Sequence, residues 1–206
     1  MFDLPPPAWR FVNGPHGKPD IDPAHGLPAV RFNISHTHGA VACAMAMGHD
    51  IGVDIECAER GGHPLEIAGA YFAPSEQALL RATSPASQRD LFFRLWTLKE
   101  AYVKARGEGL ALPLDRFAFR PDDPVTISFA ESCADDADDW LFRTLRPSAG
   151  HVLSLAVRHG TRNRVAVRSR PMTHSAIDRL IRTEVSVTSQ RDAGWQGSDA
   201  RERRGL

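Results

Sequence analysis

Three apolar runs in the first quarter of the chain have the length and composition of β-strands. They cover residues 30–34, 40–47 and 51–56, and the polar turn sequences HTHG and GHD separate them. We expect the second and third runs to form a hairpin. Residues 1–28 are rich in proline, glycine and histidine, and only residues 9–12 within them have the composition of a short strand.

The middle of the chain carries the strongest helical pattern. A Ser-Pro pair opens it and a glycine closes it, so a helix is predicted over residues 85–106. The apolar residues that recur at helical spacing within it are Leu91, Leu95, Leu98, Tyr102 and Ala105. Two shorter helices are predicted over residues 64–72 and 75–82, the second with Ser75 as its N-cap.

Strand-like runs return after the long helix. Turn sequences rich in acidic residues, proline and glycine separate them, so we predict an α+β protein with largely antiparallel strands. The runs are residues 117–119, 125–129, 140–145 and 152–157. From Arg158 onward apolar periodicity is weak except at residues 177–181, and we expect residues 158–206 to form a flexible, solvated tail.

The composition is that of a globular protein with one sizeable core. The 206 residues are 42% hydrophobic and 24% charged, and the longest apolar run, residues 40–47, is too short to cross a bilayer. The N-terminus has no basic flank with an extended apolar segment, so we expect a cytoplasmic protein. Three cysteines without metal-ligand spacing indicate neither a disulfide framework nor a zinc site. The formal net charge is zero, but residues 158–206 hold 11 Arg against 5 acidic residues, so this tail is basic and the body acidic.

Two carboxylates alternate along the third strand-like run. In the segment GVDIE, residues 52–56, Asp54 and Glu56 lie on one face of the strand and the two apolar side chains on the other. The repulsion between two adjacent carboxylates is offset by a proton or a cation, and oxygen ligands of this kind suit Mg²⁺. The alternative is an exposed strand edge with two solvated acids.

The long helix carries a polar stripe beside its apolar one. Trp96, Glu100 and Lys104 are spaced i, i+4 and i+8, so they share one face, which places a carboxylate and an ammonium side by side. The alternative is ordinary, because Glu followed four residues later by Lys is a pair that stabilises many helices.

Further polar motifs lie in predicted turns. Ser35 and His36 form a polar corner at the end of a strand, where a hydroxyl and an imidazole can meet a phosphate. His36 and His38 alternate on an extended segment, which leaves a metal site open, although no further His or Cys follows at zinc-site spacing. Lys18 lies in a GKP turn. The acidic run at residues 135–139 lacks the glycine and terminal glutamate of a calcium loop, so we expect a solvated turn there.

Four of these motifs occur in an order that resembles the signature blocks of the Sfp-type 4'-phosphopantetheinyl transferases. The blocks are GKP (17–19), FNISH (32–36), GVDIE (52–56) and WTLKEAYVK (96–104). The resemblance continues through GEGL (107–110) and LPL (112–114) and covers about residues 9–157. Four blocks in order are far more specific than any one of them, and together they outweigh the ordinary alternative for each motif.

This resemblance implies two similar α+β halves with coenzyme A bound in the cleft between them. It implies that Mg²⁺ is held by Asp54, Glu56 and Glu100. It also implies that phosphate oxygens are contacted by Lys18, His36 and Lys104, and that the helix is supported by Trp96 and Lys99. Glu100 is then the residue expected to take the proton from the attacking serine, while Lys104 and His36 offset charge on the departing 3',5'-ADP.

The implied activity is Mg²⁺-dependent transfer of 4'-phosphopantetheine from coenzyme A to a serine of an apo carrier protein, that is, a holo-[acyl-carrier-protein] synthase activity. The expected partner is a carrier protein of a fatty acid, polyketide or peptide synthase. We expect a monomer that binds neither nucleic acid nor membranes. Phosphoryl transfer needs charge neutralisation and in-line positioning more than covalent help, and these residue types provide both.

One departure from the family pattern concerns the first half of the fold. Only 16 residues precede Gly17, where family members have a substantial helix-and-strand unit with basic residues for the 3'-phosphate. We therefore expect residues 1–57 to be an incomplete first half with phosphate- and metal-binding strands. Residues 58–157 are expected to form the second half with the catalytic helix, and residues 158–206 an Arg-rich tail.

Two other functions are compatible with the sequence. The first is a catalytically impaired remnant that binds coenzyme A or a carrier protein without turnover. The second is a metallohydrolase that uses His36 and His38, which stoichiometric zinc would favour.

Overall fold

The computed structural model describes residues 6–27, 29–59, 61–133, 135–160, 163–174 and 177–189, and they form an α+β fold. The helices are α1 (Pro64–Tyr71), α2 (Pro74–Ala82) and α3 (Pro85–Arg106). The strands before them are β1 (Phe11–Asn13), β2 (Pro19–Ile21), β3 (Val30–Thr37), β4 (Ala40–Met47) and β5 (Ile51–Cys57). The strands after them are β6 (Phe117–Arg120), β7 (Thr126–Phe129), β8 (Trp140–Ser148), β9 (His151–Arg158), β10 (Asn163–His174) and β11 (Ile177–Ser189).

The long helix begins and ends where its sequence predicts. Ser84 precedes it, Pro85 occupies its first position, and Gly107 ends it with a left-handed φ of 69°. The predicted helix over residues 85–106 is thereby confirmed. Most of one side of α3 is buried, and Leu95, Leu98, Ala101 and Tyr102 are 0% exposed.

The strands form two larger sheets and two short ribbons. One sheet has the order β10-β11-β4-β3 and the other β5-β9-β8, while β1 pairs with β2 and β6 with β7. All pairs are antiparallel except β11 with β4, which are parallel. The prediction of largely antiparallel strands is confirmed.

The predicted hairpin between residues 40–47 and 51–56 is wrong. β4 pairs with β3 and β11, whereas β5 leaves that sheet and pairs with β9. The physical reason is that both strands alternate apolar side chains. The alanine face of β4 packs face to face against the valine and isoleucine side chains of β5 in one core, so the two strands are not hydrogen-bonded neighbours in one sheet. The residues of that core are Ala40, Ala42, Ala44, Ala46, Ile51, Val53, Ile55, Leu153, Leu155 and Val157.

A second, aromatic core lies on the other side of β5 and β9, beneath α3. It joins α3 to the helices before it and to β6, β8 and β9. Tyr102 is central to it, with ring centroids of Phe117 and Trp140 at 4.8 and 4.9 Å. α3 is thus held between its aromatic partners and the β5-β9 surface, which fixes its position relative to β5.

Two predictions about helix caps and the C-terminal segment need correction. Ser75 is not the N-cap of α2: the helix begins at Pro74, and the Ala73 N–H donates instead to Glu76 Oε2 at 3.0 Å. The sequence predicts a flexible tail over residues 158–206, but strands β10 and β11 occupy much of this segment, and β11 pairs with the edge of β4. An unpaired strand edge offers a row of hydrogen-bonding groups that such a strand satisfies. Residues 190–206 lie outside the described residues.

The acidic run at residues 135–139 is not uniformly solvated. The side chain of Asp135 is only 2% exposed and accepts hydrogen bonds from Tyr102 Oη at 2.8 Å and Trp140 Nε1 at 3.1 Å. Arg106 Nη1 donates to the same Oδ2 at 2.8 Å. The expected solvated turn is therefore wrong for Asp135, because one acid of the run turns inward to satisfy buried donors.

Within the described ranges, no helix is both long and apolar enough to span a membrane.

Candidate active site

The edge of β3, the end of β5 and the polar stripe of α3 enclose one polar cavity of about 380 Å³. Its lining residues are Ile34, Ser35, His36, Asp54, Glu56, Trp96, Glu100 and Lys104. The structure thus brings together five of the six predicted site residues, and Lys18 lies elsewhere.

Three polar side chains of β3 hold β5 in place beside this cavity. Asn33 Oδ1 accepts from the Val53 N–H at 2.8 Å, and Ser35 Oγ accepts from the Ile55 N–H, two residues further along β5, at 3.3 Å. Thr37 Oγ1 then accepts from the Cys57 N–H at 3.3 Å. These side chains replace the backbone ladder that would otherwise join the two strands, so they set which side chains of β5 face the cavity.

Asp54 is the most buried acid of the cavity, at 4% exposure. Its Oδ1 accepts from Lys104 Nζ at 2.6 Å and from Ser35 Oγ at 2.9 Å. Its Oδ2 is the one buried side-chain nitrogen or oxygen without a hydrogen-bond partner among the described residues. A buried carboxylate oxygen without a donor is costly, and a cation is the ligand that such an oxygen accepts.

Glu100 faces Asp54 from the helix. Burial raises the pKa of Glu100, and the negative charges of Asp54 and Glu56 raise it further, against the opposing effect of the Lys104 ammonium. Thr37 Oγ1 donates to Glu56 Oε2 at 3.4 Å. Three carboxylates and one ammonium thus line the same cavity, which leaves an excess of negative charge that a divalent cation can neutralise.

The donor set suits Mg²⁺ by its chemistry, although its carboxylates are not grouped as closely as metal ligands are. Oxygen donors from Asp54, Glu56 and Glu100 line the cavity, and one of them is an orphaned buried oxygen. Nowhere in the described residues do three or more His, Cys, Asp or Glu side chains stand close enough to hold a metal ion. The ammonium of Lys104 pairs with Asp54 Oδ1, which leaves Asp54 Oδ2 as the oxygen without a partner.

Lys18 lies in a neighbouring cavity of about 340 Å³. Its Nζ donates to two backbone carbonyls, Ile51 O and Ala105 O, both at 3.0 Å. Burial lowers its pKa to about 8, with Asp50 opposing and Arg31 adding to the effect. The ammonium is thus engaged with the protein backbone.

The two residues expected to support the helix, Trp96 and Lys99, have different surroundings. Trp96 stacks on Phe92, with ring centroids 5.9 Å apart, and lines the polar cavity. Lys99 is 0% exposed and pairs with Glu76 at 2.7 Å, and it donates to Leu114 O and Phe117 O. Burial raises the pKa of Glu76 and lowers that of Lys99, because both charges lie in an apolar core.

The structural roles of Asn33, Thr37 and Glu76 are not predicted from the sequence. The first two stand with Ser35 at alternate positions of β3, and this polar alternation opposite apolar strands is a signal that the face does not point into an apolar core. Glu76 gives no comparable signal, since an acid in the first turn of a helix is common.

The positions of His36 and His38 do not support the alternative of a zinc site formed by these two histidines. His36 lines the cavity, whereas the His38 carbonyl accepts a hydrogen bond from His151 Nε2 at 2.9 Å. His38 is not among the residues that line this cavity, so His36 and His38 are not brought together there.

Comparisons with known proteins show the family to which the chain belongs. The sequence profile described as the 4'-phosphopantetheinyl transferase superfamily matches residues 50–156, and the chain belongs to that superfamily. A 4'-phosphopantetheinyl transferase of Bacillus subtilis is 35% identical over 158 residues, which is 77% of this chain and 67% of that protein. The Bacillus subtilis (strain 168) 4'-phosphopantetheinyl transferase Sfp is 40% identical over 64% of this chain and 57% of its own length.

A further match is the 4'-phosphopantetheinyl transferase HetI of Nostoc sp., which is 31% identical over 74% of this chain and 62% of its own length. A solved structure, that of Thermotoga maritima holo-[acyl-carrier-protein] synthase, matches with a TM-score of 0.45 and 17% identity over 63% of this chain and 80% of that chain. The chain spans 57% to 67% of the lengths of these three curated relatives.

Proposed function

We propose that this chain transfers the 4'-phosphopantetheine group of coenzyme A to a serine of an apo carrier protein and releases 3',5'-ADP. The observation that carries the proposal is the unpartnered, buried Oδ2 of Asp54 in a cavity that Glu56 and Glu100 also line. Superfamily membership and the names of the curated relatives support it.

The proposed metal ligands are Asp54, Glu56 and Glu100, with Mg²⁺ as the ion. Bound Mg²⁺ supplies charge neutralisation for the pyrophosphate of coenzyme A and orients it for in-line attack. Without a cation, the excess of carboxylates in this cavity repels a pyrophosphate. His36 and Lys104 line the same cavity and are the proposed phosphate contacts on the protein side.

The reaction is a displacement at phosphorus. The serine oxygen of the carrier protein forms a bond to the phosphorus that carries the pantetheine arm, and the bond from that phosphorus to the bridging oxygen breaks. The bridging oxygen leaves with 3',5'-ADP, and the positive charge of Lys104 offsets the charge it gains.

Glu100 is the proposed acceptor of the serine proton. Its carboxylate lines the same cavity as Asp54, His36 and Lys104, and a carboxylate held beside the reacting hydroxyl is a suitable general base. Lys104 bonds directly to Asp54, so its ammonium also keeps this acid cluster from repelling the substrate.

The test is to incubate the protein with apo carrier protein, coenzyme A and Mg²⁺ and to measure the carrier by intact mass spectrometry. We expect the added mass of one phosphopantetheine arm per serine. D54N is expected to lower the rate by at least about 100-fold, since it removes a charged ligand from the reacting centre. E66Q is the matched control, because it removes an exposed carboxylate on α1. Folded wild-type protein that yields no adduct, or a D54N variant with wild-type rate, contradicts the proposal.

The second candidate is binding of coenzyme A or carrier protein without turnover. The ion pair between Lys104 and Asp54 favours it, since the ammonium already occupies one oxygen of the proposed ligand. Calorimetry with coenzyme A separates the two functions: heat of binding without a mass adduct on the carrier supports the second. The carrier types to compare are those of fatty acid, polyketide and peptide synthases.

A further inference from the structure

Strand β5 and helix α3 approach each other closely at one corner, where β5 begins and α3 ends. A Cβ added to Gly52 would lie 2.0 Å from Ala101 O and 2.4 Å from Ala105 N. Only a glycine permits this crossing. Because Asp54 follows two residues later on β5 and Lys104 precedes Ala105 on α3, the corner sets the spacing of the proposed catalytic groups.

Lys18 closes this corner from outside. Its Nζ donates at 3.0 Å to Ile51 O, the first residue of β5, and at 3.0 Å to Ala105 O, in the last turn of α3. The last four carbonyls of a helix have no intrahelical donor, so the ammonium satisfies an acceptor that would otherwise lack a partner. One side chain thereby bonds both elements that carry the catalytic groups.

The stem of Lys18 also fits a space that the helix end leaves for it. A Cβ added to Gly107, which ends α3 with φ of 69°, would lie 3.3 Å from Lys18 Cδ. The absence of a side chain at this residue lets the methylene stem of Lys18 pass over the helix terminus.

We propose that Lys18 is a positioning residue, which clamps the start of β5 to the end of α3 and so holds Asp54 at the correct separation from Glu100 and Lys104. The inference rests on the proposed transferase function, and it gives Lys18 a task other than phosphate contact. Two of its three N–H donors serve the clamp, and burial among main-chain carbonyls makes it a poorer site for phosphate.

The cavity next to Lys18 contains other charged groups that a test must separate from it. They are His16, Asp20, Arg31, Asp50, Arg106 and Glu108. Arg31 is the useful control, because it is a cation in the same cavity, its side chain is 44% exposed, and it pairs with Asp20 instead of bridging β5 and α3.

The experiment compares K18M, which keeps the stem and removes the donors, with R31M. The clamp predicts that K18M lowers kcat about tenfold or more while KM for coenzyme A changes less than about threefold. Mg²⁺ affinity, measured by calorimetry without substrate, is expected to fall by about fivefold or more in K18M and to stay within about twofold in R31M. A K18M variant with raised KM, unchanged kcat and unchanged Mg²⁺ affinity identifies Lys18 as a phosphate ligand and overturns the proposal.

A second measurement on the wild-type protein covers the case in which K18M does not fold. The chain has only three lysines, Lys18, Lys99 and Lys104, so isotope-labelled lysine side chains can be followed by NMR. The clamp predicts that 3',5'-ADP leaves the titration midpoint of Lys18 unchanged, whereas a rise of about one pH unit or more indicates direct phosphate contact and contradicts it.

These readouts separate the inference from the proposed function. If the wild-type protein transfers no phosphopantetheine, the proposed function fails, and Mg²⁺ affinity and the lysine titration still test the clamp. If transfer occurs and K18M behaves like R31M in kcat and Mg²⁺ affinity, the clamp alone is refuted.

Discussion

The substitution of Gly52 by alanine tests how tightly β5 is packed against α3. The new methyl carbon would lie 2.0 Å from Ala101 O, 2.4 Å from Ala105 N and 3.0 Å from the carbonyl carbon of Lys104. All three are backbone atoms, so no rotamer change relieves the overlap. Ordinary contact begins at 3.4 Å, and the strand and helix must therefore separate by about 1.4 Å, the difference between 3.4 and 2.0 Å.

Such a separation is expensive because both elements are buried. Inserting one methyl group into a close-packed interior costs about 1–3 kcal/mol and more where the backbone must move, so we expect G52A to lower the free energy of unfolding by about 3 kcal/mol. The separation also moves Asp54 away from Lys104, so we expect the remaining folded protein to lose transfer activity.

The assay is urea unfolding at equilibrium, followed by fluorescence. G69A is the matched control, because Gly69 lies in α1 and an added Cβ meets no atom within 4 Å. Alanine in a helix is favoured over glycine by about 0.5–1 kcal/mol, so this control is expected to be neutral or slightly stabilising. If G52A unfolds within about 0.5 kcal/mol of wild type, the close crossing of strand and helix is wrong.

Three further predictions concern the buried polar groups. Burial and neighbouring carboxylates raise the folded pKa of Glu100 above its unfolded value of 4.5, so its ionisation destabilises the fold as pH rises. E100Q should therefore raise Tm at pH 7–8 in metal-free buffer, and this gain should vanish below pH 4.5. Equal Tm values of E100Q and the wild type at pH 8 would contradict this prediction. E76A leaves the ammonium of Lys99 buried without its partner, so urea unfolding should show a loss of about 3–5 kcal/mol, whereas a loss below about 1 kcal/mol would refute the buried pair. N33A leaves the buried Val53 N–H without an acceptor and should cost about 1–3 kcal/mol in the same assay, with faster amide exchange at Val53; unchanged exchange there would count against the side-chain bond.

Local elements can be predicted from the sequence because their signals are local. The helix over residues 85–106 has a Pro at its start, a Gly at its end and an apolar stripe between them, and the structure has the same bounds. The apolar run over residues 40–47 likewise has the bounds of the observed β4. Strand pairing cannot be predicted in the same way, since the short connection after Met47 permits either a hairpin or a change of sheet.

The proposed site can be predicted in part for a different reason. The order of the motifs identifies Asp54, Glu56, Glu100, His36 and Lys104, and the structure brings them to one cavity. The same motifs assign Lys18 to phosphate, but its bonds to the backbone depend on where β5 and α3 meet, which no local pattern encodes.

The way β3 holds β5 explains how two sheets share one site. A backbone ladder between these strands would turn alternate side chains of β5 toward the two faces of one continuous sheet. The side chains of Asn33, Ser35 and Thr37 take the amides instead, so β5 lies across the edge of β3 and remains free to pair with β9. Ser35 Oγ accepts from the backbone of β5 and donates to Asp54 Oδ1. Lys104 Nζ donates both to Ser35 Oγ, at 3.1 Å, and to Asp54 Oδ1, at 2.6 Å. The hydroxyl that joins the sheets is therefore also the group that orients the proposed metal ligand, and the position of Asp54 depends on the contact between the two sheets as much as on its own strand.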